Sequence, residues 1–288
     1  MVARVVPITD AAKAGHYYEQ VDDYYAEHGT APSGYHGRGA KALGLDGEVD
    51  PGEFVSLLKG ELPTGQVLGT TRAGARQHAP GWDCTMSAPK SVSTLALVAG
   101  DRRLIDAHDC AVRTALDFAE RHGAVTRIRR RDRSVDHVAT GKLAIAQFRH
   151  VTARATASGM PAPQLHTHNV VCNMTQDENG QWRSLHSKPL FDLQMAIGAV
   201  YHQELAAQAI RLGYSAAFAS NGTFELDGVP DDVLRAFSER SAQIEAELEA
   251  RGKTRATATA AEKNTLALAT RLPKRHFDHT TLASTWRA

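Results

Sequence analysis

Apolar and polar positions divide the chain into segments of two periods. Leu143 to Thr152 and Leu165 to Asn173 read as strands, whose side chains alternate between two faces. Between them Ser158, Gly159, Pro161 and Pro163 form a loop by composition. Trp82 to Met86 predicts a short strand. A helix follows over Ser87 to Val98, with Ser87 as its cap and Pro89 in the first turn. Asp101 to His122 predicts a second helix, ended by Gly123. Val125 to Arg131 alternates as a strand does, and Asp132 to Thr140 reads as a polar connection. Asn179-Gly180 signals a hairpin into a strand through Gln181 to Leu185, and Asn221-Gly222 signals another between Tyr214–Ala219 and Thr223–Leu226. Ser187 to Leu212 predicts one long amphipathic helix closed by Gly213, and Pro230 to Arg251 is helical and charged. At the N-terminus, Asp10 to His28 reads as a helix capped by Thr9 or Asp10, with Gly29 past its end.

Strands joined by hairpins, with helices covering one side, predict an α+β fold: a two-layer or three-layer sandwich around a central antiparallel sheet. Residues 1–252 are expected to form the core. The polar, Ala/Thr-rich stretch from Thr254 to Ala288, which contains Pro273, is expected to be a mobile, helical C-terminal appendage (residues 253–288).

Composition narrows the class. A chain of 288 residues can bury a large core, and 42% hydrophobic with 23% charged residues is ordinary for a globular protein. The net charge of +1 excludes a protein that coats DNA by bulk charge, so any nucleic-acid contact must come from local clusters. Arg127, Arg129, Arg130 and Arg131 form the clearest one; Lys90 and Arg154 are further candidates, and a looser group runs from Lys253 to Arg275. Cys84, Cys110 and Cys172 have no CxxC spacing, which argues against disulfides and Cys-rich zinc sites and fits a reducing compartment. There is neither a signal-peptide pattern nor a run of the about 20 apolar residues a membrane span needs. The reading is a cytoplasmic chain.

Candidate chemistry sits in two places. His166 and His168 are one residue apart, so a strand points both imidazoles to one face. Folding the two strands about residues near 158 brings His150 opposite Thr167 or its neighbours, and an even register puts it on that same face. Three neutral imidazoles there form a metal site with open coordination positions. The other place is the N-terminal helix, where Tyr17, Tyr18, Tyr24 and Tyr25 put four of the seven tyrosines within nine residues. These form either an aromatic stripe packed into the core or a set of nucleophiles. A phenol has a pKa of about 10, so attack on phosphorus requires a base for its proton and a cation on the phosphoryl oxygens. Asp83 has three readings: it orients a ligand histidine, it accepts the tyrosine proton, or it makes a strand-end turn.

These motifs together resemble a known family. His16-Tyr17-Tyr18 with Asp23-Tyr24-Tyr25, Asp83 within WDCTMSAPKSVS, and PQLHTHNVV with an upstream His are similar to the relaxase domain of MobF-class conjugative relaxases, in the HUH endonuclease superfamily. Gly37-Arg38-Gly39-Ala40, Gly180-Gln181-Trp182 and Tyr201 extend the resemblance along nearly the whole chain; Ala162 and Tyr35 depart from it. The resemblance implies a palm of antiparallel strands carrying the metal, and a C-terminal region that closes over DNA and continues to a helicase in the longer protein. It implies site- and strand-specific cleavage of single-stranded DNA at a plasmid origin of transfer. Tyr17 would attack first, giving a covalent 5′-phosphotyrosine that is later rejoined. Tyr24 would serve a second cleavage, with Tyr18 and Tyr25 as substitutes or packing. The expected cofactor is a divalent ion, Mg²⁺ or Mn²⁺, on His150, His166 and His168. The expected partners are origin DNA with an adjacent hairpin, and the conjugative coupling protein and secretion machinery; Trp82, Tyr35 and Trp182 are either stacking platforms for the DNA or core and rim packing. Two other classes fit the residues: a single-stranded DNA-binding module without cleavage, and a three-histidine metalloenzyme acting on small molecules.

Overall fold

The computed structural model describes residues 3–19, 33–153, 155, 159–254, 256–269 and 279–287. In chain order the first half contains β1 (Ala3–Ile8), α1 (Ala11–Glu19), β2 (Ser33–His36), α2 (Arg38–Ala42), α3 (Pro51–Leu58), β3 (Thr70–Arg72), β4 (Ala75–Gln77), β5 (Gly81–Ser87), α4 (Lys90–Leu97) and α5 (Arg103–Gly123). The second half contains β6 (Val125–Arg129), β7 (Val135–Ala139), β8 (Ile145–Thr152), β9 (Pro163–Cys172), β10 (Thr175–Gln176), β11 (Trp182–Arg183), α6 (Lys188–Asp192), α7 (Gln194–Arg211), β12 (Ala216–Phe218), β13 (Phe224–Leu226), α8 (Asp231–Ala236), α9 (Glu239–Glu249), α10 (Ala260–Ala269) and α11 (His279–Arg287).

The central sheet has the order β1-β5-β9-β8-β2, and every neighbouring pair is antiparallel. Alternation sorts its side chains between two cores. Cys84, Met86, Ile145, Val151, Leu165 and Val171 face α4, α5 and α7 in the larger cluster. Ala144, Ala146, Phe148, Val170 and Cys172 face Ala14 of α1, Ala40 of α2 and Phe54, Leu57 and Leu58 of α3 in the second. Helices therefore cover both faces rather than one. The first helix starts where expected: the Lys13 amide donates to Asp10 Oδ1 at 3.0 Å, an N-cap.

Several predicted elements need correcting. Ser87 ends β5 instead of capping α4, whose start is Pro89 without a side-chain cap. The polar connection after Arg131 contains β7, which pairs with β6 as a two-stranded ribbon. The ribbon lies largely in solvent, so no apolar stripe announced it. The long helix breaks at Leu193 into α6 and α7, and the next divides at Phe237-Ser238 into α8 and α9. The C-terminal stretch is helical over α10 and α11. Leu282 and Trp286 of α11 are buried in the larger core, and Trp286 Nε1 donates to the Pro161 carbonyl at 2.9 Å. No helix among the described residues is long and apolar enough to cross a membrane.

Candidate metal centre

The centre is built by two neighbouring strands and completed by a third. β8 pairs with β9 so that His150 lies opposite His166 and Phe148 opposite His168, and the register shifts between His150 and Thr152. β5 flanks β9 on the other side, with Thr85 opposite His168 and Asp83 opposite Val170. Directly paired residues share a sheet face, so the three histidines, Asp83 and Thr85 project together. The ring centroids are 5.4 Å apart for His150–His166 and 5.1 Å for each of the other two pairs, and the ligand atoms all lie within 4.8 Å of one another. His150 and His168 are buried; His166 is half-buried, leaving one side open.

Hydrogen bonds fix the tautomers. His166 Nδ1 is 2.9 Å from the Gln164 carbonyl, which can only accept, so Nδ1 carries the proton and Nε2 is left as a ligand. His168 Nδ1 donates to Asp83 Oδ2 at 2.7 Å, so its Nε2 also carries the lone pair that a ligand needs. Thr85 Oγ1 lies 3.2 Å from both Asp83 oxygens and fixes the carboxylate in turn. Imidazole, carboxylate and hydroxyl in series make the outer support that metal-binding histidines ordinarily have. The donor set therefore fits a divalent cation held by three imidazoles with further positions open to ligands.

The other sequence candidates are distributed as follows. Tyr17 and Tyr18 lie on α1, whose described side chains end at Gly15. Ala14 of that helix packs into the second cluster, which puts α1 on the histidine face. Tyr24, Tyr25 and Arg154 lie outside the described residues. Arg127 and Arg129 are exposed on β6, and Arg130 and Arg131 are exposed in the turn that follows, with Arg130 Nε 2.6 Å from Asp136 Oδ2. This ribbon leads into the Ile145 end of β8, five residues of strand, or about 17 Å, from His150. Lys90 is turned inward: its ammonium donates to the Pro163 carbonyl at 2.9 Å, and burial lowers its pKa to about 8. That geometry anchors the start of β9 and leaves no outward cation for a phosphate. Trp82 and Trp182 are buried in the two cores, the packing alternative for both, whereas Tyr35 is half-buried beside the second core and donates to Glu53 Oε2 at 3.3 Å. Thr85 and Gln164 were not singled out from sequence. The Asp83-x-Thr85 spacing on a strand was the available signal for the first; nothing local marks a carbonyl acceptor such as that of Gln164.

Comparison with known proteins agrees with this geometry. The TrwC relaxase family matches residues 11–288. The multifunctional conjugation protein TraI of Escherichia coli (strain K12) is 39% identical over 295 residues, covering 98% of this chain. The chain spans 16% of that relative's length. A copper-bound conjugative relaxase TrwC in complex with origin-of-transfer DNA superposes with a TM-score of 0.90 at 38% identity, covering 99% of this chain and 96% of that one. TrwC complexed with a 27-mer DNA comprising the recognition hairpin and the cleavage site superposes at 0.86 with 34% identity, over 99% of this chain and 96% of that one. A central antiparallel sheet with a three-histidine face, in a chain matched along almost its whole length, thus belongs to the TrwC relaxase family.

Proposed function

We propose that this chain is a conjugative relaxase domain, cleaving single-stranded DNA at an origin of transfer by tyrosine transesterification and later rejoining it. The observation that carries the reading is the convergence of His150, His166 and His168 on the sheet face that also receives the tyrosine-bearing helix α1. His150, His166 and His168 would hold a divalent cation, for which we propose Mg²⁺ or Mn²⁺, and it would supply neutralisation of charge on phosphoryl oxygens.

The chain's own groups do the rest. Asp83 and Gln164 hold the Nδ1 protons of His168 and His166 and so keep both Nε2 atoms as ligands. This makes orientation of His168 the role we assign to Asp83. Tyr17 is our nucleophile. Its oxygen bonds to phosphorus as the bond from phosphorus to O3′ breaks; a base takes the phenol proton and a proton is returned to O3′, which leaves as a hydroxyl. The product is a 5′-phosphotyrosine. One phosphodiester replaces another, so the reverse step rejoins ends without ATP. Tyr24 would serve a second transfer, with Tyr18 and Tyr25 as substitutes. The exposed Arg127, Arg129, Arg130 and Arg131 would grip phosphates of a DNA hairpin away from the scissile bond. In this reading α10 and α11 belong to an extension, residues 253–288, that closes over DNA. The setting is the bacterial cytoplasm, in contact with a coupling protein and secretion machinery.

The test is to incubate the protein with a labelled single-stranded oligonucleotide from its own origin and Mg²⁺ or Mn²⁺, then denature it. A protein–DNA adduct that survives denaturation and maps to Tyr17 is the expected result. DNA bound without any adduct, under either ion, would leave only a binding module.

A further inference from the structure

Directly behind the ligand strands lies a buried polar layer that the proposed chemistry does not use. Thr167 sits between His166 and His168 and points to the opposite face, where it pairs across the strands with Arg149. Thr167 Oγ1 is 2.8 Å from His108 Nε2, and His108 Nδ1 is 2.7 Å from the Tyr201 hydroxyl. His108 and Tyr201 are fully buried, and Thr167 is 3% exposed. Arg149 forms an ion pair with Asp109, which follows His108 on α5. The same strands otherwise fill this side with Ile145, Val151, Leu165 and Val171.

Stability alone does not account for such a layer, because well-packed apolar residues in place of buried charged or polar groups are often as stable or more so. What it supplies is directionality. Burial holds the His108 imidazole neutral, its pKa well below the ordinary value, so one ring nitrogen donates and the other accepts. A hydroxyl at each end satisfies both. Tyr201 on α7 and His108 on α5 thereby tie the helical layer to the one residue of β9 that has a ligand histidine on either side.

We propose that His108 and Thr167 are positioning residues for the three-histidine centre, holding β9 from the rear so that His166 and His168 are aimed before a cation arrives. The proposal rests on the reading of the trio as a cation site. The test is calorimetric titration of the metal-free protein with Mn²⁺, without DNA, alongside thermal unfolding. Thr167→Val should weaken binding about tenfold, as loss of outer support does at metal sites, and Thr167→Ser should restore it. Thr126→Val is the control: Thr126 is as buried as Thr167 but lies outside this layer, where its hydroxyl donates to the Ser184 carbonyl at 2.8 Å. It should lower Tm and leave Mn²⁺ affinity unchanged. His108→Phe should match Thr167→Val if it folds; the threonine pair decides the matter if it does not. If Thr167→Val binds Mn²⁺ as the parent does while His166→Ala does not bind, the positioning role is overturned and the cation site stands. Equal weakening by Thr126→Val and Thr167→Val overturns it too, as general destabilisation. If His166→Ala binds normally, the cation site itself is wrong.

Discussion

Replacing Asp83 by Asn changes one atom and tests the tautomer argument directly. In the parent, Asp83 Oδ2 accepts from His168 Nδ1 at 2.7 Å while Thr85 Oγ1 lies 3.2 Å from both carboxylate oxygens. An Asn side chain has a single acceptor oxygen, so its orientation decides what His168 faces. If its oxygen stays with Thr85, its NH₂ faces His168 and demands a lone pair on Nδ1; the ring proton then moves to Nε2, where a cation needs the lone pair. If the amide flips, His168 keeps its tautomer but loses a charge-assisted partner and part of its basicity. Outer-shell changes of this kind cost about 10–100-fold in metal affinity, or about 1.4–2.8 kcal/mol. Asp83→Asn should therefore raise the Mn²⁺ dissociation constant by at least about tenfold in a titration of the metal-free protein. Asp83→Glu should do so less, since it keeps the charge. Parent-like Mn²⁺ affinity in Asp83→Asn would refute the claim that this carboxylate sets the ligand histidine.

Other outcomes follow from particular contacts. Tyr17→Phe should abolish the denaturation-resistant DNA adduct while leaving Mn²⁺ affinity within twofold, as read on a denaturing gel and by titration; an undiminished adduct would move the nucleophile to another tyrosine. Arg129→Ala and Arg131→Ala should each lower origin-DNA affinity in proportion across sequences and reduce the slope of log affinity against log salt by about 1, which fluorescence anisotropy at several salt concentrations measures. Burial lowers the pKa of His202 to about 4, against about 6.5 in an unfolded chain. Its contribution is therefore complete above pH 6.5 and is lost as pH falls towards 4, about 3 kcal/mol in all. Urea unfolding at pH 7.5 and 4.5 should show a smaller acid loss for His202→Gln than for the parent. Gly37 has φ of 98°, and a Cβ there would lie 2.3 Å from the Leu143 carbonyl oxygen; Gly37→Ala should lower the urea midpoint by the equivalent of about 1–3 kcal/mol.

The legible part of this protein was the part governed by local stereochemistry. Strand alternation makes His166 and His168 share a face whatever surrounds them, and a turn near Gly159 limits which residues can oppose His150. Asn179-Gly180 and Asn221-Gly222 marked their hairpins because the turns put Gly180 and Gly222 at positive φ. The ribbon strand β7 escaped because it is only two-stranded and its inner face is half-buried at just Asp136 and Val138, too short a pattern to mark a strand. The break at Leu193 escaped because it is slight: Leu193 keeps φ −85° and ψ −5°, in the right-handed helical region, with good helix on either side. Lys90 looked like a surface cation in its motif, and only the meeting of α4 with the start of β9 turned it inward. The polar layer of His108, Thr167 and Tyr201 was equally invisible, since its members stand 59 and 93 positions apart. Sequence by itself determined what each strand presents to either face, because that follows from the geometry of one residue and the next. Tertiary structure alone decided which distant faces meet, since a contact between remote residues depends on how every intervening element packs.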